Sequence, residues 1–173
     1  MQNKRDLILE KVDLLVAELM ELRTRGPHFR ICHRFHKPGT VCAPGEEILA
    51  VCLVHRGQEY SLRLSLALRI LFDYLARHSR FAQSATQIEV GIRADRFYTN
   101  HAELTFGTNA PIRRIPRSYV RVYMERLRLA LEGASCEANL MIERRAVLVS
   151  ERTVTNEVGY RLRARIEWIH TDG

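Results

Sequence analysis

No stretch of the sequence holds the roughly 20 consecutive apolar residues that span a bilayer. The apolar run near the N-terminus is broken by Glu10, Lys11, Asp13 and Glu18, which excludes a signal-peptide core as well. Cysteine is sparse. Cys32, Cys42, Cys52 and Cys136 lack the tight spacing of a small disulfide-knotted module, and a chain of 173 residues can bury a core without one. A cytoplasmic protein with reduced thiols and no membrane partner is the expectation. There is no phosphate-cradling glycine-rich loop, no nucleophile elbow and no His-Glu-x-x-His pair, so the chain does not read as an enzyme. Internal repeats and low-complexity tracts are missing too. Acid is scarce relative to base: 20 Asp and Glu against 27 Lys and Arg give a net charge of +7. That balance favours polyanionic partners, nucleic acid or an acidic membrane surface, and leaves the fold open.

What remains is an ordinary globular composition, 46% hydrophobic and 27% charged, in a length that suits one domain and a smaller appendage. Residues 1–26 read as an amphipathic, dimerisation-type helix. Ile8, Val12, Leu15, Leu19 and Leu22 alternate spacings of four and three, the seam of a coiled coil, and Gly26-Pro27 stops it. Leu9, Val16 and Met20 widen the apolar face. The helix therefore pairs with its copy in a homodimer or lies on its own domain. Residues 27–47 read as an irregular linker with Pro-Gly turns at 38–39 and 44–45. The linker concentrates His28, Cys32, His33, His36 and Cys42. Imidazole and thiolate suit tetrahedral zinc, so His28, Cys32, His36 and Cys42 are the candidate ligands. Their spacing matches no compact zinc motif, and buried apolar cysteine with surface histidine is the simpler reading. No cofactor is expected on that reading.

Residues 48–173 carry the main domain. Two β-rich runs, Ile48 to His55 and Glu59 to Leu64, flank Arg56-Gly57-Gln58 as a hairpin. Ser65 then caps a helix that buries Leu68, Leu71, Phe72 and Leu75, and Ser84 caps a second through Ile88 and Ile92. From Arg93 to Ile115 no period is legible beyond a short helix around Thr99 to Leu104. Pro116 suits a first helical turn, and Arg117 to Leu131 follows with Glu132-Gly133 as its stop. Two strand candidates, Leu140 to Ser150 and Gly159 to Ile169, end the chain; in the second, Tyr160, Leu162, Ala164, Ile166 and Trp168 alternate with charged residues. Hairpin, helix, helix, basic helix, hairpin is the order of an α+β winged helix-turn-helix, with an N-terminal β-hairpin and a C-terminal wing hairpin.

The run Leu64 to His78 resembles the first helix of the OmpR/PhoB-type effector domain. Ser84 and Ile88 fall where that family starts its second helix and buries a leucine. Tyr119 to Leu131 looks like its recognition helix, and Val158-Gly159-Tyr160-Arg161-Leu162 is similar to its wing signature. The resemblance implies a DNA-binding transcriptional regulator that inserts helix 116–132 in the major groove and lays the 150–162 wing on the backbone or minor groove. Double-stranded DNA and RNA polymerase are the partners it implies. Three features depart from the family. The segment between the second and third helices is longer, Asn156-Glu157 replaces the usual Arg-Gly and displaces the wing-tip arginine toward Arg152, and residues 1–47 are too short for a receiver domain.

Between Arg113 and Arg128 six arginines face one acid, Glu125. At about 100° per residue Arg117, Arg121 and Arg128 share one helical line. Guanidinium groups bind guanine edges or phosphates, which makes Arg113, Arg114, Arg117, Arg121, Arg126 and Arg128 the candidate DNA contacts. Tyr119 and Tyr123 are candidate backbone donors, and Arg152 and Arg161 the candidate wing contacts. The same basic face could instead serve a winged-helix module for an acidic protein or RNA.

Overall fold

The computed structural model describes residues 11–13, 15–16, 26–36, 45–95, 98 and 115–172. The order is β1 (His28–His36), β2 (Gly45–His55), β3 (Gln58–Ser61), α1 (Leu66–Arg77), β4 (Gln83–Ser84) and α2 (Ala85–Ala94). It continues with α3 (Arg117–Glu137), α4 (Arg144–Val147), β5 (Leu148–Arg152), β6 (Val158–Leu162) and β7 (Ile166–Asp172). The fold is α+β with two sheets, one ordered β3-β2-β1-β7 and the other β4-β6-β5. One apolar cluster joins the first sheet, α1, α2, α3 and the β5–β6 hairpin.

Part of the stretch expected to be irregular is a strand. In β1, Phe29, Ile31 and His33 are buried while Arg30, Cys32 and Arg34 are not, the period of two that a half-buried strand requires. In the sequence the interspersed histidines and cysteines and the nearby Pro-Gly turns obscure that alternation. β1 pairs antiparallel with β2 along its whole length. Leu49 is the extra residue of a bulge, since Cys32 faces Ala50 and His33 faces Ile48. Arg69 on α1 donates to both carbonyls left askew there, Ile48 O at 2.8 Å and Leu49 O at 2.5 Å.

Local signals set the β2–β3 turn and the start of α2. Arg56 and Gly57 take φ of 51° and 77°, a mirror-image two-residue turn that matches strand twist, and Gln58 belongs to the strand rather than the loop. Ser84 forms a capping box with Gln87. Ser65 occupies the cap position of α1 without a side-chain cap bond.

α3 runs past its expected stop at Glu132-Gly133. Ala134 and Ala138 extend the buried line of Val120, Met124, Leu127 and Leu131, and this packing outweighs the cost of about 1 kcal/mol for an interior glycine. The helix ends at Asn139, which takes φ 52°. There the Leu140 amide donates to Ser135 O and the Asn139 amide to Cys136 O, the paired bonds of a Schellman ending.

The C-terminal strands differ from expectation in two places. Residues 140–147 are not strand: α4 occupies Arg144–Val147 and β5 begins at Leu148. The expected strand Gly159 to Ile169 is two strands in different sheets. β6 pairs with β5 and β4, the chain turns at 163–165, and β7 lies parallel to β1. Arg163 donates its amide to Val147 O at the end of α4, and Phe29 of β1 donates to Arg165 O, so the two sides of the turn are held by different elements.

A polar cluster sits inside this shell. Asp73 of α1 is fully buried and accepts from Arg77 Nε at 2.7 Å and Tyr98 Oη at 2.9 Å on one oxygen. Its other oxygen faces His33 Nε2 at 3.2 Å and Trp168 Nε1 at 3.4 Å. Burial pulls the Asp73 carboxyl upward, but the His33 hydrogen bond and the Arg77 charge outweigh it and hold the group below the ordinary aspartate value. The Tyr98 hydroxyl is pushed far up, first by burial and then by Asp73.

Residues 11–13 and 15–16 are helical, with Val12, Leu15 and Val16 exposed. The rest of the expected seam, Ile8, Leu19 and Leu22, lies outside the described residues, as does the short helix around Thr99 to Leu104. Among the described residues no helix is long and apolar enough to cross a membrane.

Candidate nucleic-acid interface

α3 presents two different sides because its core line takes only one. Val120, Met124, Leu127 and Leu131 are fully buried, while Arg117, Tyr119, Arg121 and Arg126 are exposed. The exposed surface is less uniformly basic than the sequence suggests. Val122, Leu129 and Glu125 share it. Tyr123 is half-buried against the core, and the Arg126 guanidinium lies over its ring, 5.9 Å from the centroid. Arg113 and Arg114 lie outside the described residues.

Arg128 is not a surface cation. It is 6% exposed, donates twice to Leu148 O at 3.2 and 3.0 Å and once to Ser150 Oγ at 2.9 Å, and pairs with Glu125. Its position on the helical line is as expected, but the β5–β6 hairpin packs over that side of α3. Arg128 therefore fastens the hairpin to the helix.

Between α3, α4 and the hairpin lies an open cleft of about 660 Å³, lined by Arg121, Arg145, Arg163, Ser150 and Tyr160 among others. Glu125 and Glu151 also line it. Both acids are committed to arginines, Glu125 to Arg128 and Glu151 to Arg161 and Arg163. Among the described residues Arg117, Arg121 and Arg145 have no carboxylate partner. Arg145 is not among the sequence candidates, because the sequence predicts one strand over 140–150 and the structure places Arg145 on α4. The adjacent pair Arg144-Arg145 was the available signal.

The hairpin candidates divide. Arg152 is exposed near the turn and donates to Asn156 O at 2.9 Å. Arg161 is half-buried, paired with Glu151 at 2.6 Å and directed back to Arg80 O. It holds the base of the hairpin and does not reach its tip. The tip carries the acid Glu157 and no base, with Val154 fully exposed.

The linker histidines and cysteines separate along β1. His28 and Cys32 lie on one face and His33 on the other, as period two demands. His28 Nε2 stands 3.1 Å from Glu167, which Arg30 also holds at 2.8 Å. Those hydrogen bonds, from Arg30 first and then His28, hold the Glu167 carboxyl below its ordinary value. Burial pushes the Cys32 and Cys52 thiols up. Cys42 and the His36 side chain lie outside the described residues, and among those described no three potential metal ligands converge.

No family model, curated protein or solved structure matches this chain.

Proposed function

We propose that the chain is a sequence-specific, double-stranded DNA-binding transcriptional regulator of winged helix-turn-helix type. α3 enters the major groove with Arg117 and Arg121 foremost, and the β5–β6 hairpin is the wing. Homodimers place two such helices on paired half-sites and regulate by steric exclusion or polymerase contact. The observation that carries the reading is the cleft between α3 and the hairpin, where Glu125 and Glu151 are paired with arginines and Arg121 and Arg145 have no carboxylate partner among the described residues. The element order of β-hairpin, α1, α2, basic α3 and hairpin supports it, as does the likeness to OmpR/PhoB-type effector domains. Recognition helices commonly contact bases through their N-terminal residues, where Arg117 and Arg121 lie.

Selection of bound duplexes from a random pool, followed by competition against random duplex, tests this. A selected duplex is expected to bind about 10³-fold tighter or more at physiological salt, with twofold symmetry in the selected sequences. Equal affinity for both would retire sequence-specific regulation and favour an acidic protein or RNA on the same face, to which exposed Tyr119 and Val122 also lend themselves. Arg121→Ala is expected to cost about 1–3 kcal/mol of specific binding while leaving stability within about 0.5 kcal/mol. Arg128→Ala acts through stability instead.

A further inference from the structure

The cleft between α3, α4 and the β5–β6 hairpin has a chemistry narrower than that of a general basic surface. Two cations without a carboxylate partner among the described residues meet there, Arg121 from α3 and Arg145 from α4. Two hydroxyls line the same space. Ser150 Oγ accepts from Arg128 at 2.9 Å, which leaves its own proton to give away. Tyr160 is 9% exposed, and its hydroxyl makes no hydrogen bond to any described residue. A phenol so deeply placed ordinarily finds a partner, and the open space beside this one is the cleft that it lines.

The groups left unspent in the cleft are therefore donors. Glu125 and Glu151 line it as well, but Glu125 pairs with Arg128 and Glu151 with Arg161 and Arg163. A negatively charged acceptor with several oxygens satisfies such a set, and phosphate is the acceptor that guanidinium groups fit with two parallel bonds. The course of α3 brings one there. Its helical line of arginines runs from Arg117 through Arg121 to Arg128; Arg117 is exposed, Arg121 lines the cleft and Arg128 is covered by the hairpin. A sugar-phosphate strand that follows the exposed arginines thus meets the cleft where the line passes under the hairpin.

We propose that the cleft seats one backbone phosphate of the bound duplex, with Arg145, Tyr160 and Ser150 as its donors. This rests on the duplex-binding part of the proposed function and divides the interface between two tasks. Contacts to phosphate fix the register and orientation of a protein on DNA, whereas contacts to base edges specify sequence. Arg145 and Tyr160 belong to the first task, and Arg117 and Arg121 to the second.

Equilibrium binding of the full chain to a selected and a random duplex, across a salt series, tests the seat. Arg145→Ala is expected to weaken both duplexes by the same factor, about tenfold, and to lower the slope of log affinity against log salt by about 1. Tyr160→Phe removes a donor and no charge. It should weaken both about threefold at an unchanged slope, with a melting temperature no lower than the parent's, since no described residue loses a bond. Arg144→Ala is the control: this neighbouring cation pairs with Glu132 and lies outside the cleft, so affinity and slope should stay near those of the parent. Parental binding by either Arg145→Ala or Tyr160→Phe would overturn the phosphate seat and leave the DNA reading standing. A loss confined to the selected duplex would do the same, as would an equal loss in Arg144→Ala, which would make the effect one of general charge. A parent that binds no duplex would take down the DNA reading and the seat together.

Discussion

Asp73 is a carboxylate without exposed surface, kept charged by His33, Arg77, Tyr98 and Trp168. Removing one partner of a buried charged network costs about 3–5 kcal/mol, and Asp73→Asn is expected near the lower end because it keeps the shape. The direction of the pH effect follows from the depressed folded-state value. Stability from such a carboxylate is full above the unfolded value and is lost as pH falls toward the folded one. Urea unfolding of parent and variant from roughly pH 6 to pH 3 should therefore show their stability difference shrinking on the acid side. A constant difference across that range would mean that Asp73 is not held charged by its neighbours. None of this was legible in the sequence, where Asp73 is one polar position between Phe72 and Tyr74 and its partners come from distant segments. Arg128 failed for a related reason. Its angle on the helix was right, but only the hairpin, 20 residues further on in the Leu148 contact, decides that this side is covered.

Elements whose signals are local were read well. The turn at Arg56-Gly57, the Ser84 cap and the core line of α3 each depend on residues within a few positions of one another. α4 and the split between β6 and β7 were not legible, because alternation continues through Ala164 and only pairing partners reveal that the chain changes sheets. Two glycines show how context fixes the sign of one substitution. On α2, a Cβ at Gly91 would lie 2.3 Å from Tyr74 Oη and 2.8 Å from the ring, where α1 and α2 approach. Tyr74 is itself buried and hydrogen-bonded to Gln87 O at 3.2 Å, so it has little freedom to retreat. Gly91→Ala is expected to cost about 1–3 kcal/mol by overpacking, despite the gain of about 1 kcal/mol in helix propensity. Gly133→Ala, with open space at its Cβ, should keep most of that gain. Denaturant midpoints of the two variants moving in the same direction would refute the contrast.

Across the whole molecule, the sequence suggested a self-contained unit from residue 48 onward, behind a linker. The pairing of strands ties the chain together differently. β1, drawn from the expected linker, lies between β2 and β7, and β7 brings the last described residues back beside it in parallel. Parallel neighbours distant in sequence leave no local trace, which is why this closure was missed. The four-stranded sheet buries Phe29, Ile31, Val51 and Leu53 in the shared core, and Trp168 of β7 reaches Asp73. Removing residues 166–173 would thus strip β1 of one neighbour and take a donor from the buried carboxylate, while leaving α1, α2, α3 and the β5–β6 hairpin complete in sequence. If those elements formed an independent unit, the truncated chain would melt as the parent does. The shared core predicts instead a fall in melting temperature of about 10 °C or more, since a loss of only a few kcal/mol moves the midpoint that far in a domain of this size. Circular dichroism melting of the two chains decides between them, and coincident transitions would show that β7 is an appendage to the sheet and not one of its supports.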